Sequence, residues 1–408
     1  MLNSLSTQEI SFWEKAFVLW IPAYQITSAY AFPQVPYFTV GDIGLFIIIL
    51  VLSTKMLVSR RRVKVFAPAL LMLLISIPWL MSSLVGGFDT FMRMLRFMFS
   101  IFVVAFFVPN FFHKELVIPI IRTIAVVSSF FVIGQFLFVN IFGIYLSGKV
   151  PYFVSSPSAE VILDTQGNIV EIRRFFAFFD EPASLSTFLA IALVCGISED
   201  KQKLKRFIPE LLMVIGIFIS QATTGFGLLV IIFGFWLMYS SCKKGILLIT
   251  TISIVVLVEV KYGIISNILK RTVSLTDSGL KLGSAIIGRV ANFSSAFNIS
   301  QLTFQQLLFG RGMNRLTEFI PGWGKCFVYF GLAGLVLVIL MYLYLFLSTK
   351  GYARVLTVCL IALNFFGDYL FGVTPLFVLP YIISLSSNRN SKLYFTRINK
   401  CLTKCILD

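Results

Sequence analysis

Apolar runs of membrane length recur along the whole chain, and that repetition constrains its fold more than any motif does. A helical run of about 17 to 25 residues matches the 30 Å hydrocarbon core of a bilayer. About twelve can be counted, near 12–32, 40–58, 65–84, 94–111, 117–142, 183–199, 207–220, 224–241, 245–260, 325–348, 354–371 and 374–387. A lipid-embedded segment has no water for its peptide groups, so each span must satisfy its backbone internally as a helix. Charged residues are 13% of the chain, about half the share of a soluble domain, while hydrophobic residues are 58%. The sequence therefore predicts an all-α membrane protein, one polytopic helical bundle over 1–408 lying in the lipid bilayer. The net charge of +16 does not point to nucleic acid, because the apolar runs leave no room for a soluble basic domain.

One run needs cutting. Phe207 to Ser241 would measure about 50 Å as a single helix, too long to cross once. Gln221, Thr223, Thr224 and Gly225 interrupt it, so two helices joined by a tight turn are expected. Orientation then follows from the basic clusters, which favour the cytoplasmic side. Arg60–Arg61–Arg62, Lys201 to Arg206, Lys243–Lys244, Lys350 with Arg354, and the tail of 388–408 all fall on one side of a twelve-span bundle. Both termini are thus expected in the cytoplasm. No basic region followed by a small-residue cleavage site opens the chain, so no signal peptide is expected.

Two large outer loops remain, 147–182 and 261–324. The second carries Lys261, Lys270, Arg271, Lys281, Arg289, Arg311 and Arg315, cations on the face where they are normally scarce. An anionic ligand would account for them. No phosphate loop, dinucleotide fingerprint, zinc motif or nucleophile elbow occurs. The only histidine, His113, falls in a short inner turn, and the cysteines show no metal spacing. Inner loops are too short to hold a nucleotide, so any substrate must arrive already activated on a lipid. Basic side chains that neutralise a departing diphosphate would then serve without metal or other cofactor.

Two constellations stand out. In Arg173–Leu193, Arg173 and Arg174 precede a phenylalanine run, then Asp180, Glu181 and Pro182 open a span. Proline suits the first turn of a helix and carboxylates suit its N-terminus, so a capping role competes with one as general base at the bundle's mouth. In Gly288–Leu316, Arg289 begins a helix-like stretch ending at Gly310-Arg311-Gly312. The glycines allow a tight backbone beside Arg311; an amphipathic helix anchored on the outer leaflet is the other reading. Asp368 lies near the outer end of its span, where shaping a site or pairing with an arginine fits better than catalysis.

Taken together, these patterns resemble the Wzy-type O-antigen and capsular polysaccharide polymerases. The likeness rests on an arginine, an aromatic run and Glu181-Pro182; on Arg289 followed by Leu-Phe-Gly310-Arg311-Gly312; on the glycines Gly331 and Gly334; and on Asp42, Arg93 and Arg96. The resemblance implies a GT-C-like membrane glycosyltransferase at the outer face of the bacterial inner membrane. Its substrates would be an undecaprenyl-diphosphate-linked repeat unit and a growing chain, with a chain-length regulator as a partner. It implies Glu181, or less directly Asp368, as base, and Arg173, Arg174, Arg289, Arg311 and Arg315 around diphosphate and sugar. The arginine–ten residues–glycine pattern of some such polymerases is read as absent from both loops, which leaves the individual arginine roles open. Related O-antigen ligases carry a histidine in the large outer loop, and 261–324 has none. A lipid-linked oligosaccharide flippase is the alternative from another class, against which the long basic outer loop argues.

Overall fold

The computed structural model describes residues 10–32, 35–58, 63–85, 87–148, 154–155, 161–163, 169–172, 174–198, 207–239, 273–276, 279–282, 302–312, 320–367, 374–386 and 394–395. Helices dominate. They are α1 (Phe12–Thr27), α2 (Val40–Val58), α3 (Ala67–Val85), α4 (Phe88–Phe102), α5 (Val108–Phe111), α6 (Lys114–Phe142), α7 (Pro182–Ile197), α8 (Phe207–Ile219) and α9 (Thr223–Tyr239). After these come α10 (Phe304–Phe309), α11 (Gly322–Ser348), α12 (Tyr352–Phe366) and α13 (Thr374–Ser386). Each sequence run except that at 245–260, which lies outside the described residues, coincides with a helix.

Among the described residues, four helical stretches are long and apolar enough to cross a membrane: α2, Thr90–Phe111, α6 and α11; six shorter apolar helices accompany them. Their outward faces are apolar too, with Phe46, Leu50 and Leu57 on α2 and Leu340, Leu343 and Leu347 on α11 exposed. In water such faces would each forfeit about 25 cal/mol per Å². This is a helical membrane protein. Its centre is α7, which is buried along nearly its whole length and apolar all round, as a fully enclosed helix must be. Gly225 on α9 permits the close approach, since a Cβ there would stand 2.4 Å from Ser186 Cβ. Small residues at such contacts let membrane helices pack tightly.

Thr90–Phe111 is continuous but not uniform. A π turn spans Val103–Phe107, and Pro109 follows it in α5. A proline ring clashes with the carbonyl four residues earlier, here that of Ala105. One wider turn removes the clash, and the Val108 N–H bonds the Val103 carbonyl instead.

Short strands occupy the connections. β1 (Tyr30–Phe32) pairs antiparallel with β2 (Val35–Thr39) and with β4 (Val154–Ser155). β3 (Val65–Phe66) pairs with β9 (Tyr394–Phe395), and β5 (Val161–Leu163) and β6 (Ile169–Ile172) form a hairpin inside the 147–182 loop. β7 (Val273–Thr276) and β8 (Gly279–Leu282) form another inside 261–324. The bundle is therefore not purely helical. Hydrogen bonding across connections accounts for the strands.

The expected cut in 207–241 is present. Helix α8 stops at Ile219 and α9 starts at Thr223, with Gln221 between them at φ 51°. A side chain costs about 1–2 kcal/mol in that left-handed conformation, whereas glycine adopts it freely. Gln221→Gly is expected to stabilise the detergent-solubilised protein by about 0.5–1 kcal/mol, glycine's larger unfolded-state entropy offsetting part of the gain. The check is its thermal midpoint, and a fall would mean that the Gln221 side chain itself holds the turn.

Candidate functional site

Three polar assemblies gather at one end of the bundle, called here the Asp42 end. The first is built on a helix cap. Thr39 precedes α2, and its hydroxyl accepts from the Asp42 N–H at 3.2 Å. The Asp42 carboxylate accepts in return from the Thr39 N–H at 2.9 Å and its hydroxyl at 2.8 Å. This is a capping box with aspartate at the third helical position. The carboxylate's other oxygen accepts from the Tyr24 hydroxyl of α1 and from Arg96 Nε of α4 at 3.0 Å. Asp42 thus ties three helices together, and Arg96 is committed to it. Two further ion pairs join helices, Glu14–Lys55 at 2.9 Å and Arg122–Glu210 at 2.7 Å. Ionisable groups inside a membrane bundle usually pair in this way.

The second assembly carries Glu181. Residues 174–181 fold back over the end of the bundle, and the phenylalanine run supplies the reason. Phe175 packs on Phe136 and Phe178 on Phe131, both from α6. Phe179 packs on Phe188 of α7, which stacks on Phe377 of α13. Gln135 then fixes the backbone, donating to the Leu146 carbonyl at 2.7 Å and accepting from the Ala177 N–H at 3.0 Å. Arg174 opens this fold and Glu181 closes it. Glu181 is the N-cap of α7 with Pro182 beside it, as the sequence predicts, but its side chain makes no capping hydrogen bond and is exposed. The adjacent Asp180 is half-buried, and its Oδ1 is buried with no hydrogen-bond partner among the described residues. A buried carboxylate oxygen without a donor is costly. Asp180 is therefore a second acidic candidate here, one read from sequence only as a cap.

The third assembly places Arg311. Helix α11 breaks at Gly331, whose backbone is non-helical at φ 66°, ψ −163°. The break leaves carbonyls of the preceding turn without their usual donors. The segment after α10 supplies replacements: the Arg311 N–H donates to the Val328 carbonyl at 2.7 Å, and the Gly312 N–H to the Tyr329 carbonyl at 3.1 Å. The fit is backbone against backbone, for a Cβ on Gly310 would lie 2.4 Å from the Tyr329 carbonyl and one on Gly331 2.4 Å from that of Leu308. Trp79 of α3 closes the assembly, its indole N–H donating to the Phe309 carbonyl at 2.9 Å and its ring 4.5 Å from that of Phe330. Arg311 is exposed at this junction, about 14 Å along α11 from its first residue at 1.5 Å per residue.

One arginine does stand in the arginine–ten residues–glycine pattern: ten residues separate Arg311 from Gly322. Gly322 starts α11, its N–H donates to the Gly367 carbonyl at 2.9 Å, and a Cβ there would meet Asn364 Oδ1 at 2.5 Å. Both ends of the pattern are thus held by contacts that glycine permits. The signal was present in the spacing, but the glycine sits at the edge of the loop where the helix begins.

Of the residues expected at the site, Arg174 and Glu181 share one folded segment on α6, α7 and α13, while Arg311 is held on α3 and α11. Arg173, Arg289, Arg315 and Asp368 lie outside the described residues. No family model matches the chain, and neither a curated protein nor a solved structure is detectably similar to it.

Proposed function

We propose that this protein is a membrane glycosyltransferase that polymerises polysaccharide, either O-antigen or capsule, from undecaprenyl-diphosphate-linked repeat units. In this reading the Asp42 end faces the outside of the cytoplasmic membrane and both termini lie inside. The observation that carries it is an exposed arginine held rigidly at a break in a membrane-length helix. Broken membrane helices are where polar ligands commonly bind at depth, and a guanidinium fork matches phosphate oxygens two at a time. The resemblance in sequence supplies the reaction class.

A hydroxyl of the incoming unit attacks the anomeric carbon of the growing chain's reducing-end sugar. The bond from that carbon to the diphosphate oxygen breaks, and undecaprenyl diphosphate leaves with the electron pair. Glu181 accepts the hydroxyl proton, and Arg311 meets the charge that builds on the leaving diphosphate. Arg173, Arg174, Arg289 and Arg315 are assigned to the same anionic substrate, Asp368 to shaping the site, and no cofactor is invoked.

Deleting the gene in a lipopolysaccharide-bearing host tests the reading. Single repeat units should still reach the lipid A core, so the surface glycan should show only core and core plus one unit. The intact gene should restore the ladder, and a Glu181→Ala copy should give about 10²- to 10⁴-fold less polymer. Long polymer left on undecaprenyl diphosphate in the deletion strain would indicate a ligase. Single units trapped on the inner leaflet would indicate a flippase. A full ladder from Glu181→Ala would remove only the base.

A further inference from the structure

Trp79 and Phe330 bring α3 and α11 into contact beside Arg311. From that contact a groove of about 830 Å³ runs between the two helices to Ala67 and Leu347. Along α3 this is about 18 Å at 1.5 Å per residue, more than half of the 30 Å hydrocarbon core. Leu71, Leu74, Leu340 and Leu343 line it and are largely exposed. The Ser76 hydroxyl, one of its few polar groups, already donates to the Met72 carbonyl. The groove is therefore apolar along its length.

Its upper end is different. The backbone of exposed Arg311 is held beside Trp79 and Val328 at that end, and Arg93 is exposed on α4, though neither side chain lines the groove itself. Arg93 stands one helical turn before Phe97 on α4, and the Phe97 ring packs 6.1 Å from that of Phe330. Unlike Arg96, Arg93 has no ion-pair partner among the described residues. Cations at one end and hydrocarbon below form the complement of a lipid with an anionic head. Arginines at the end of a span also meet ordinary phospholipid heads, so phosphatidylglycerol is the competitor that the test must include.

We propose that the α3–α11 groove holds the head-proximal part of the polyprenyl chain of a lipid diphosphate, with the diphosphate at Arg311 and Arg93. This deepens the polymerase reading and rests on it for the choice of polyprenyl diphosphate. It also gives the break at Gly331 a purpose. The docked Gly310-Arg311-Gly312 turn places a cation where the apolar groove ends, so head and chain are read together.

The test uses the full-length protein in bilayer nanodiscs with undecaprenyl diphosphate bearing a photoreactive group in an early isoprene unit. Cross-links should map to Leu71, Leu74, Leu340 and Leu343. Val336 of α11 is the internal control, since it is as exposed as Leu343, at 50%, but lies outside the groove. Leu343→Trp and, from the opposite wall, Leu74→Trp should each lower labelling about tenfold, while Val336→Trp should not. Arg311→Ala should weaken probe binding about tenfold or more, with Arg311→Lys in between. Unchanged thermal midpoints would show that the tryptophan variants fold. Excess phosphatidylglycerol should compete poorly, and inorganic diphosphate should displace the head without saturating the groove. Labelling as strong at Val336 as at Leu343, or equal displacement by phosphatidylglycerol, would overturn the proposal by making this an ordinary lipid contact. Such a result alongside the one-unit glycan would sink the groove and leave the polymerase. Groove-confined labelling alongside an unchanged ladder in the deletion strain would do the reverse.

Discussion

Asp42→Ala is expected to destabilise the detergent-solubilised protein by about 2–3 kcal/mol. Asp42 is 5% exposed, and its carboxylate accepts hydrogen bonds from Tyr24, Thr39 and Arg96. Removing one partner of a fully buried ion pair typically costs about 3–5 kcal/mol, because the other charge is left stranded. Arg96 keeps 35% of its side chain exposed, so solvent screens part of that loss and the smaller figure applies. Trp20 offers a local reporter, since its indole N–H donates to the Gly41 carbonyl at 3.0 Å, and its fluorescence should follow unfolding of the α1–α2 pair. Asp42→Asn keeps the shape and some acceptors, and should fall between wild type and alanine. Adding Arg96→Met to Asp42→Ala should recover much of the loss, because the stranded cation goes with its partner. An Asp42→Ala protein within about 0.5 kcal/mol of wild type would show that the carboxylate bears no structural load and is free for other work.

Arg93 and Arg96 illustrate what could and could not be read from the chain. Both open the same span in the sequence, and both look equally available. The structure separates them by position along α4: Arg96 meets Asp42 and Thr39, while Arg93, nearly one turn earlier on the same side, remains exposed. Periodicity, the signal that orients a helix, is strong in this span but puts both arginines on its polar side, so it cannot tell which of them finds a partner; in a span that is apolar on every side it is lost altogether. The central α7 shows the same loss, being apolar all round. Where polarity interrupts the run, the reading succeeds. Gln221 to Gly225 marks the turn between α8 and α9, and Pro182 marks the first residue of α7. The glycines beside Arg311 both adopt positive φ, 78° at Gly310 and at Gly312.

Other features depend on partners distant in sequence. The first apolar run continues to residue 32, but α1 ends at Thr27 and the chain turns into β1, which pairs with β4 from beyond residue 150. Only a long-range partner distinguishes that strand from one more helical turn. The break at Gly331 is similar. Gly331 and Gly334 were visible as glycines in a span, which cost a helix about 1 kcal/mol each yet are common in membranes. Nothing local says which of the two opens the helix. The docking of residues 308–312 decides it, about twenty positions away in sequence.

That docking yields a prediction whose sign depends on it. Gly331→Ala should destabilise the protein by about 3 kcal/mol or more. The added Cβ would stand 2.4 Å from the Leu308 carbonyl, so the segment must withdraw. The carbonyls of Val328 and Tyr329 would then lose the donors they have in Arg311 and Gly312, at about 1–3 kcal/mol for each buried group left unmet. The left-handed φ of 66° adds strain for any side chain. Two companions grade the effect. Gly310→Ala meets the Tyr329 backbone at 2.4 Å and should behave nearly as badly, whereas Gly312→Ala meets nothing within 4 Å. The latter should show only the conformational cost of about 1–2 kcal/mol. Unfolding midpoints of the three purified variants provide the measurement. If α11 instead ran unbroken through residue 331, Gly331→Ala would replace a poor helix former with the best one and stabilise the protein by about 1 kcal/mol. A rise in the midpoint would therefore refute the break, and with it the placement of Arg311 at the head of the groove.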